Sequence, residues 1–167
     1  TGVDAQATTP NLIANNLVYD IDGEGIQHGV HTNGSDNVRI YHNTISLQDV
    51  ANTGATATYG IFQTATADGV DIRNNMVTVT RTGTGPKYGI FMNTNTTVFK
   101  SNFNNFYVTG DNSHVGFSST INRTTLAEWQ AATSQDANSL TVDPIYASPA
   151  TGNFTPIFPP VDNTGTP

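Results

Sequence analysis

The run Ile40-Tyr-His-Asn-Thr-Ile-Ser-Leu-Gln48, IYHNTISLQ, has three relatives in the same chain: IANNLVYDI from Ile13, IRNNMVTVT from Ile72 and NFNNFYVTG from Asn102. Anchored on Asn16, Asn43, Asn75 and Asn105, the copies are spaced 27, 32 and 30 residues apart. The fourth copy is the most divergent, with Asn102 where the others carry isoleucine. Between the copies a second motif recurs as HGVHT from His28, YGIFQ from Tyr59, YGIFM from Tyr88 and VGFSS from Val115. Its glycines, Gly29, Gly60, Gly89 and Gly116, are spaced 31, 29 and 27. Self-similarity at a fixed period near thirty residues is the mark of a repeat architecture and outranks any local reading.

Each repeat consists of short β-rich runs with alternating apolar residues, such as Val70-Asp-Ile72 and Met76-Val-Thr-Val79, separated by Asn, Gly, Asp and Thr turns. The pattern predicts an all-β chain, a right-handed parallel β-helix solenoid of four to five coils. Equivalent residues then stack about 4.8 Å apart, and the interior is a column of aliphatic side chains. In this register Val30, Ile61, Ile90 and Phe117 form one inward column, and Ile13, Ile40 and Ile72 another. Asn16, Asn43, Asn75 and Asn105 form an asparagine ladder where the sheets bend. One segment departs from the β pattern. Thr125-Leu-Ala-Glu128 fits a capping box, and the good helix formers after it predict a short helix from Leu126 to Ala132. An open solenoid end must be covered, and Trp129, the only tryptophan, has the size and position to do so. The expected organisation is a leading segment or partial coil over 1–10, a β-helix over 11–147 with its helical cap near 125–133, and a C-terminal extension or linker over 148–167.

The coils resemble the right-handed parallel β-helix repeats of pectin-lyase-like proteins. The closing run, FKSNFNNFYVTG followed by TLAEWQAATSQDANSLTVDPIY from Thr125 to Tyr146, is similar to the last coil and cap of β-helix domains in large secreted or cell-surface proteins of Bacteroidetes-type bacteria. The resemblance covers residues 11 to 158. It implies an extracellular address, a carbohydrate-rich setting and neighbouring modules in the same polypeptide, but it leaves the activity open, since the scaffold serves lyases, hydrolases, adhesins and stalks.

Bulk composition narrows the classes. A chain of 167 residues is long enough to bury a core without disulfides or metal. Six Lys+Arg against thirteen Asp+Glu give a formal charge of −7, so nucleic acid, which is held by clustered basic residues, is not an expected partner. Cysteine is absent, which removes disulfides and thiolate metal sites. No apolar run approaches the length of a membrane span, and no membrane insertion is expected. Both ends are polar and rich in Thr, Pro and Gly, which reads as a module of a longer polypeptide.

Three constellations are candidates for chemistry. Asp20, Asp22, Glu24 and Gly25 in YDIDGEG occupy positions 1, 3, 5 and 6 of an EF-hand loop, but position 12 is His31 and no helices flank it. A turn is the default, and Ca2+ held by Asp20, Asp22 and Glu24 is the alternative. Lyase-type proton abstraction needs a basic residue. Of Arg39, Arg73, Arg81, Lys87, Lys100 and Arg123, the pair Arg73 and Lys100 is the candidate because the repeat brings it to one face. The arginine-rich lyase motif and the Arg-x-Lys hydrolase motif are both missing, which favours a non-catalytic stalk or adhesin over a fragment of a polysaccharide lyase or glycoside hydrolase. His28 stacks in register with Tyr59 and Tyr88, and His31 with Phe62 and Phe91, so ring stacking is a simpler account of these histidines than a His28/His31/His42 metal site. With Val30, Ile61 and Ile90 inward, His31, Phe62 and Phe91 face outward as a strip that, with Gln63, fits a polysaccharide or cell-surface glycan. The competing account is that an inter-coil loop, Gln48 to Thr58 or Thr80 to Lys87, folds over the strip.

Overall fold

In the computed structural model, which describes residues 5–94 and 97–157, the repeat becomes four coils of three strands each. The first coil holds β1 (Asn11–Ala14), β2 (Leu17–Val18) and β3 (Gln27–Thr32), and the second β4 (Val38–Tyr41), β5 (Thr44–Leu47) and β6 (Thr58–Gln63). The third holds β7 (Val70–Arg73), β8 (Met76–Val79) and β9 (Lys87–Met92), and the fourth β10 (Phe99–Asn102), β11 (Asn105–Val108) and β12 (Ser113–Ser118). Corresponding strands pair in parallel to form three sheets, β1-β4-β7-β10, β2-β5-β8-β11 and β3-β6-β9-β12. The solenoid is therefore a four-coil stack built on three parallel sheets.

The core is the set of inward columns. Ile13, Ile40, Ile72 and Ser101 align in the first sheet, and Val18, Ile45, Val77 and Phe106 in the second. In the third sheet Val30, Ile61 and Ile90 align as expected, but the fourth member is Gly116. Phe117 instead joins the outward column of Phe91. The reason is steric. In the first three coils a glycine precedes the inward aliphatic residue, and a Cβ at Gly29 or Gly60 would overlap Ile45 or Val77 across the core. The last coil inverts the order to Val115-Gly116, because a Cβ on Gly116 would run into the Trp129 ring.

The asparagine ladder is present, with one shift. Asn16 donates its Nδ2 to Asn43 Oδ1 at 2.9 Å, Asn43 to Asn75 at 3.0 Å, and Asn75 to Asn104 at 3.0 Å. The fourth rung is therefore Asn104, not Asn105, and the position matching isoleucine is Ser101, not Asn102. Asn105 instead holds the returning chain, exchanging bonds with the Val142 N–H (3.0 Å) and carbonyl (2.8 Å). Before each rung one residue takes the left-handed conformation: Asn15, His42, Asn74 and Phe103, with φ of 54 to 58°. His42 is thus a turn residue matched to Phe103, in a conformation that asparagine tolerates best.

After β12 the chain closes the stack. Strand β13 (Ile121–Arg123) pairs antiparallel with β12, and helix α1 (Leu126–Thr133) starts on the expected capping box, Thr125 with Glu128. Trp129 is fully buried against the final coil, with Phe99 5.9 Å away between ring centres. Its Nε1 donates to Asp136 Oδ2 at 2.7 Å, while Asp136 Oδ1 accepts from Asn104 Nδ2 (3.1 Å) and Ser139 Oγ (2.5 Å). Asp136 thus joins the cap to the ladder. Residues 140–157 then run back over the outer face of the second sheet as the hairpin β14 (Tyr146–Ser148) and β15 (Asn153–Pro156). Tyr146 meets Thr78 at 3.0 Å, and Phe154 packs on Tyr19 with ring centres 5.0 Å apart. Residues 148–157, part of the expected extension or linker, are therefore packed against the solenoid. Residues 1–4 of the expected leading segment and 158–167 of the expected linker lie outside the described residues.

Candidate functional site

The outer face of the third sheet carries the densest arrangement of side chains able to meet a ligand. His28, Tyr59, Tyr88 and His114 stack with ring centres 5.1, 5.4 and 5.2 Å apart. Beside them His31, Phe62, Phe91 and Phe117 follow at 5.1, 5.2 and 4.1 Å. Residues three apart, such as Tyr59 and Phe62 at 4.4 Å, share this face because the intervening Gly-aliphatic pair both turn inward. Two columns of four rings result, each a direct product of coil register, since parallel in-register stacking brings like rings together at about the strand spacing.

The strip is not uniformly open. Tyr88 and Phe91 are buried, only 6% and 9% exposed, enclosed by rings on both sides and by Asn122, whose Oδ1 accepts from the Tyr88 hydroxyl at 3.1 Å. His114 is tied at the same end, with Asn112 Oδ1 at 3.1 Å and Asn122 Nδ2 at 3.2 Å from its Nε2. The opposite end is accessible: His31 is exposed, and His28, Tyr59 and Phe62 are partly so. A groove of about 350 Å³ adjoins His31, lined also by Ile13, Asn33, Ser35 and Val38. Of the four residues expected to meet a ligand, His31 and Phe62 lie at this open end and Phe91 lies within the buried half. Gln63 is placed differently from the expectation. It points into the wall, 1% exposed, where Oε1 accepts from the Thr32 hydroxyl and Nε2 donates to the Ala65 carbonyl at 2.5 Å. Its neighbour Phe62 faces outward, so strand alternation turns Gln63 inward, a consequence that period-two counting from Ile61 already contains.

The loops proposed to cover the strip are committed elsewhere. Asp49 accepts from the Gly23 N–H at 3.0 Å and the Ala51 N–H at 2.9 Å. Arg81, 1% exposed, donates to the Gly23 carbonyl and to Thr58 Oγ1 at 3.1 Å. Lys87, 2% exposed, donates to the carbonyls of Gly83, Gly85 and Asp111 at 3.0 to 3.1 Å. These two cations tie inter-coil loops together.

The YDIDGEG segment is the turn that these bonds hold. Asp20 has φ 58°, Glu24 accepts from the Thr53 N–H at 3.2 Å, and Asp22 is exposed. Among the described residues no group of three or more His, Asp or Glu side chains has a geometry that would hold a metal ion. The Ca2+ expectation for Asp20, Asp22 and Glu24, and the His28/His31/His42 alternative, therefore find no converged ligand set.

Arg73 and Lys100 do lie on the outer face of the first sheet, on neighbouring strands. Arg73 Nε is paired with Asp71 Oδ1 at 2.7 Å, and Asp71 Oδ2 also accepts from Tyr41 at 2.8 Å. The Asp71 bond, more than the opposing effect of burial, raises the Arg73 pKa above its ordinary value. A guanidinium fixed as a cation is suited to holding a carboxylate and not to abstracting a proton. Lys100 is exposed beside Asp71 in register, and both cations line a depression of about 190 Å³ with Gln135 and Asp136.

Titration gives a stability prediction. Burial and the neighbouring His31 lower the His28 pKa, and burial lowers that of His114 against the opposing charge of Glu128. These folded-state values lie below 6.5, so the folded form resists protonation; the cost is absent above 6.5 and grows as pH falls through that value. The Gly23 N–H, then Ala51 and Arg81, hold Asp49 below the usual carboxylate range, and the N–H groups of Thr125 and Thr124 do the same for Glu128. Their contribution is complete above their unfolded values near 4 and is lost as pH falls through the folded ones. Thermal unfolding followed by circular dichroism should therefore show the midpoint falling in two stages on acidification. A His28→Phe variant should shrink the first stage and leave the second.

No helix among the described residues is long and apolar enough to cross a membrane. Comparison with protein-family models, curated proteins and solved structures finds no match to this chain.

Proposed function

We propose that this chain is a non-catalytic β-solenoid module of an extracellular protein, a stalk or adhesive segment that contacts polysaccharide or cell-surface glycan through the open end of its ring strip. The observation that carries this reading is the pair of ring columns on an outer face, exposed at His31 and partly so at Phe62. Flat rings repeated at about 5 Å on the outer face offer apolar surface to the faces of sugar rings.

The test is titration of the isotope-labelled chain with neutral and acidic oligosaccharides, followed by NMR. Shifts confined to His28, His31, Tyr59 and Phe62 are expected, and a His31→Ala/Phe62→Ala double variant should weaken binding at least about tenfold, in line with loss of two stacking contacts. Absence of binding across the panel, or binding indifferent to the double variant, overturns the assignment. Turnover of an acidic polysaccharide that disappears in Arg73→Ala or Lys100→Ala would replace it with the lyase or hydrolase reading, in which the depression beside Arg73 is the substrate site.

A further inference from the structure

The two ends of the solenoid are finished differently. At the C-terminal end every sheet edge is covered. Strand β12 is paired by β13. Strand β11 is met by Leu140, which accepts from the Phe106 N–H at 2.9 Å and donates to the Asn104 carbonyl at 2.8 Å. Strand β10 is met by Gln135 and Asp136, through the Ser101 N–H (3.0 Å) and carbonyl (2.8 Å). The ladder also terminates, as the Asn104 N–H donates to Ser139 Oγ at 2.8 Å.

The N-terminal end has no such finish among the described residues. Strands β1, β2 and β3 each stand at the edge of their sheet, paired on one side only. Ile13 and Val18 are only partly buried, whereas their partners in the next coil, Ile40 and Ile45, are 0% exposed. The ladder has a direction, and it is left incomplete here. The Oδ1 of Asn43 receives both the N–H and the Nδ2 of Asn16, at 3.1 and 2.9 Å, and Asn75 and Asn104 are served in the same way from the preceding coil. Asn16 spends its own donors on Asn43 and Ala14, while its Oδ1 has no donor among the described residues.

We propose that the face of the first coil is an interface for one further parallel β-coil of the same solenoid, supplied by polypeptide that precedes this chain in a longer protein. The added coil donates an asparagine N–H and Nδ2 to Asn16 Oδ1, pairs with β1, β2 and β3, and buries Ile13 and Val18. The inter-coil interface already repeated three times in the molecule fixes this chemistry. A second copy of the chain does not fit. Its C-terminal end is filled by Trp129 and β13, and joining two N-terminal faces sets one Asn16 Oδ1 against another with no donor between them. Unpaired strand edges of this kind are normally blunted by charge or proline, and β1 to β3 contain neither acid nor proline.

The test is to place a copy of residues 38–69 directly before Asn11, so that the copied Gly69 enters β1 as Gly69 itself enters β7. Amide exchange in β1, β2 and β3 should slow by at least about tenfold as edge strands become interior ones. Changing the copied ladder asparagine to alanine should remove most of that gain. Unchanged exchange in β1 to β3, with the added coil unprotected, overturns the proposal. So does sedimentation of the unextended chain as a dimer whose formation protects the same strands, since the face would then belong to a second copy.

Discussion

Replacing Trp129 with alanine is expected to lower the stability of the chain by about 3–5 kcal/mol, and to do so unevenly. The indole is fully buried, lies on Gly116 where a Cβ would not fit, and faces Phe99 across the last coil. Its removal opens a cavity at the end of the aliphatic column and leaves Asp136 Oδ2 without its donor. In a stack where each coil contacts only its neighbours, such damage is local first. Hydrogen exchange should accelerate around residues 99–117 and return toward wild-type values near Ile40. A Trp129→Phe variant separates the two losses. It keeps most of the packing and forfeits only the bond to Asp136, at about 1–3 kcal/mol. Uniform loss of protection along the chain, or none, would contradict the role of the indole as the cover of the column. As the only tryptophan, Trp129 also reports on this site in the native chain, and its emission should shift before the global transition if the cap frays first.

Much of this architecture was legible because solenoid stacking repeats its demands. Ile40 and Ile72, Asn43 and Asn75, and the Tyr-Gly-Ile-Phe pair at 59–62 and 88–91 occupy equivalent places in their coils, so the same residue types return. Legibility failed in the fourth coil, where the surroundings change. Two adjacent asparagines, Asn104 and Asn105, imitate the Asn74-Asn75 pair, and matching the pairs sets the frame one residue late. The inward aliphatic pattern was the better guide. Phe106 and Val108 align with Val77 and Val79, which forces Asn104 onto the ladder and leaves Phe103 in a left-handed conformation. The Val115-Gly116 inversion has the same origin, since the last coil packs on an indole and not on another coil. The return of residues 140–157 across the second sheet, Asp136 as the joint between cap and ladder, and the buried positions of Arg81 and Lys87 had no periodic signal. They depend on one-off contacts between distant segments, and only the run containing Trp129 and Asp136 hinted at them.

The candidate site divides along the same line. Ring stacking follows from register and was readable; exposure was not, because Tyr88 and Phe91 are closed off by Asn122 and by rings on neighbouring coils. Acid spacing in YDIDGEG leaves a turn and a metal loop open together because turns and cation sites favour the same residues, and only convergence of the side chains distinguishes them.

The ladder itself supplies the second large effect. Asn75 is 2% exposed, and its amide joins the second coil, at Asn43, to the fourth, at Asn104. Its Oδ1 accepts from the Asn43 N–H at 3.1 Å and from Asn43 Nδ2 at 3.0 Å, and its Nδ2 donates to the Ile40 carbonyl at 2.8 Å and to Asn104 Oδ1. Alanine at this position strips three buried groups of a partner: the Asn43 N–H, one Asn43 amide hydrogen and the Ile40 carbonyl. At about 1–3 kcal/mol for each orphaned group, the loss is expected to reach at least about 3 kcal/mol. Asn75→Asp is nearly the same shape and keeps both acceptor roles, yet it replaces the Nδ2 donor with an oxygen facing the Ile40 carbonyl and Asn104 Oδ1. At neutral pH it should therefore be no better tolerated than alanine, and it should recover in part under acid as the carboxyl regains a proton to donate. Asn16→Ala, at the exposed end of the same ladder, removes donors that water can replace and should cost less than about 1 kcal/mol. Urea unfolding of the three variants measures the series directly. Equal costs at Asn16 and Asn75, or a harmless Asn75→Asp, would mean that the asparagines fill the turn without forming the directional chain of bonds that joins coil to coil.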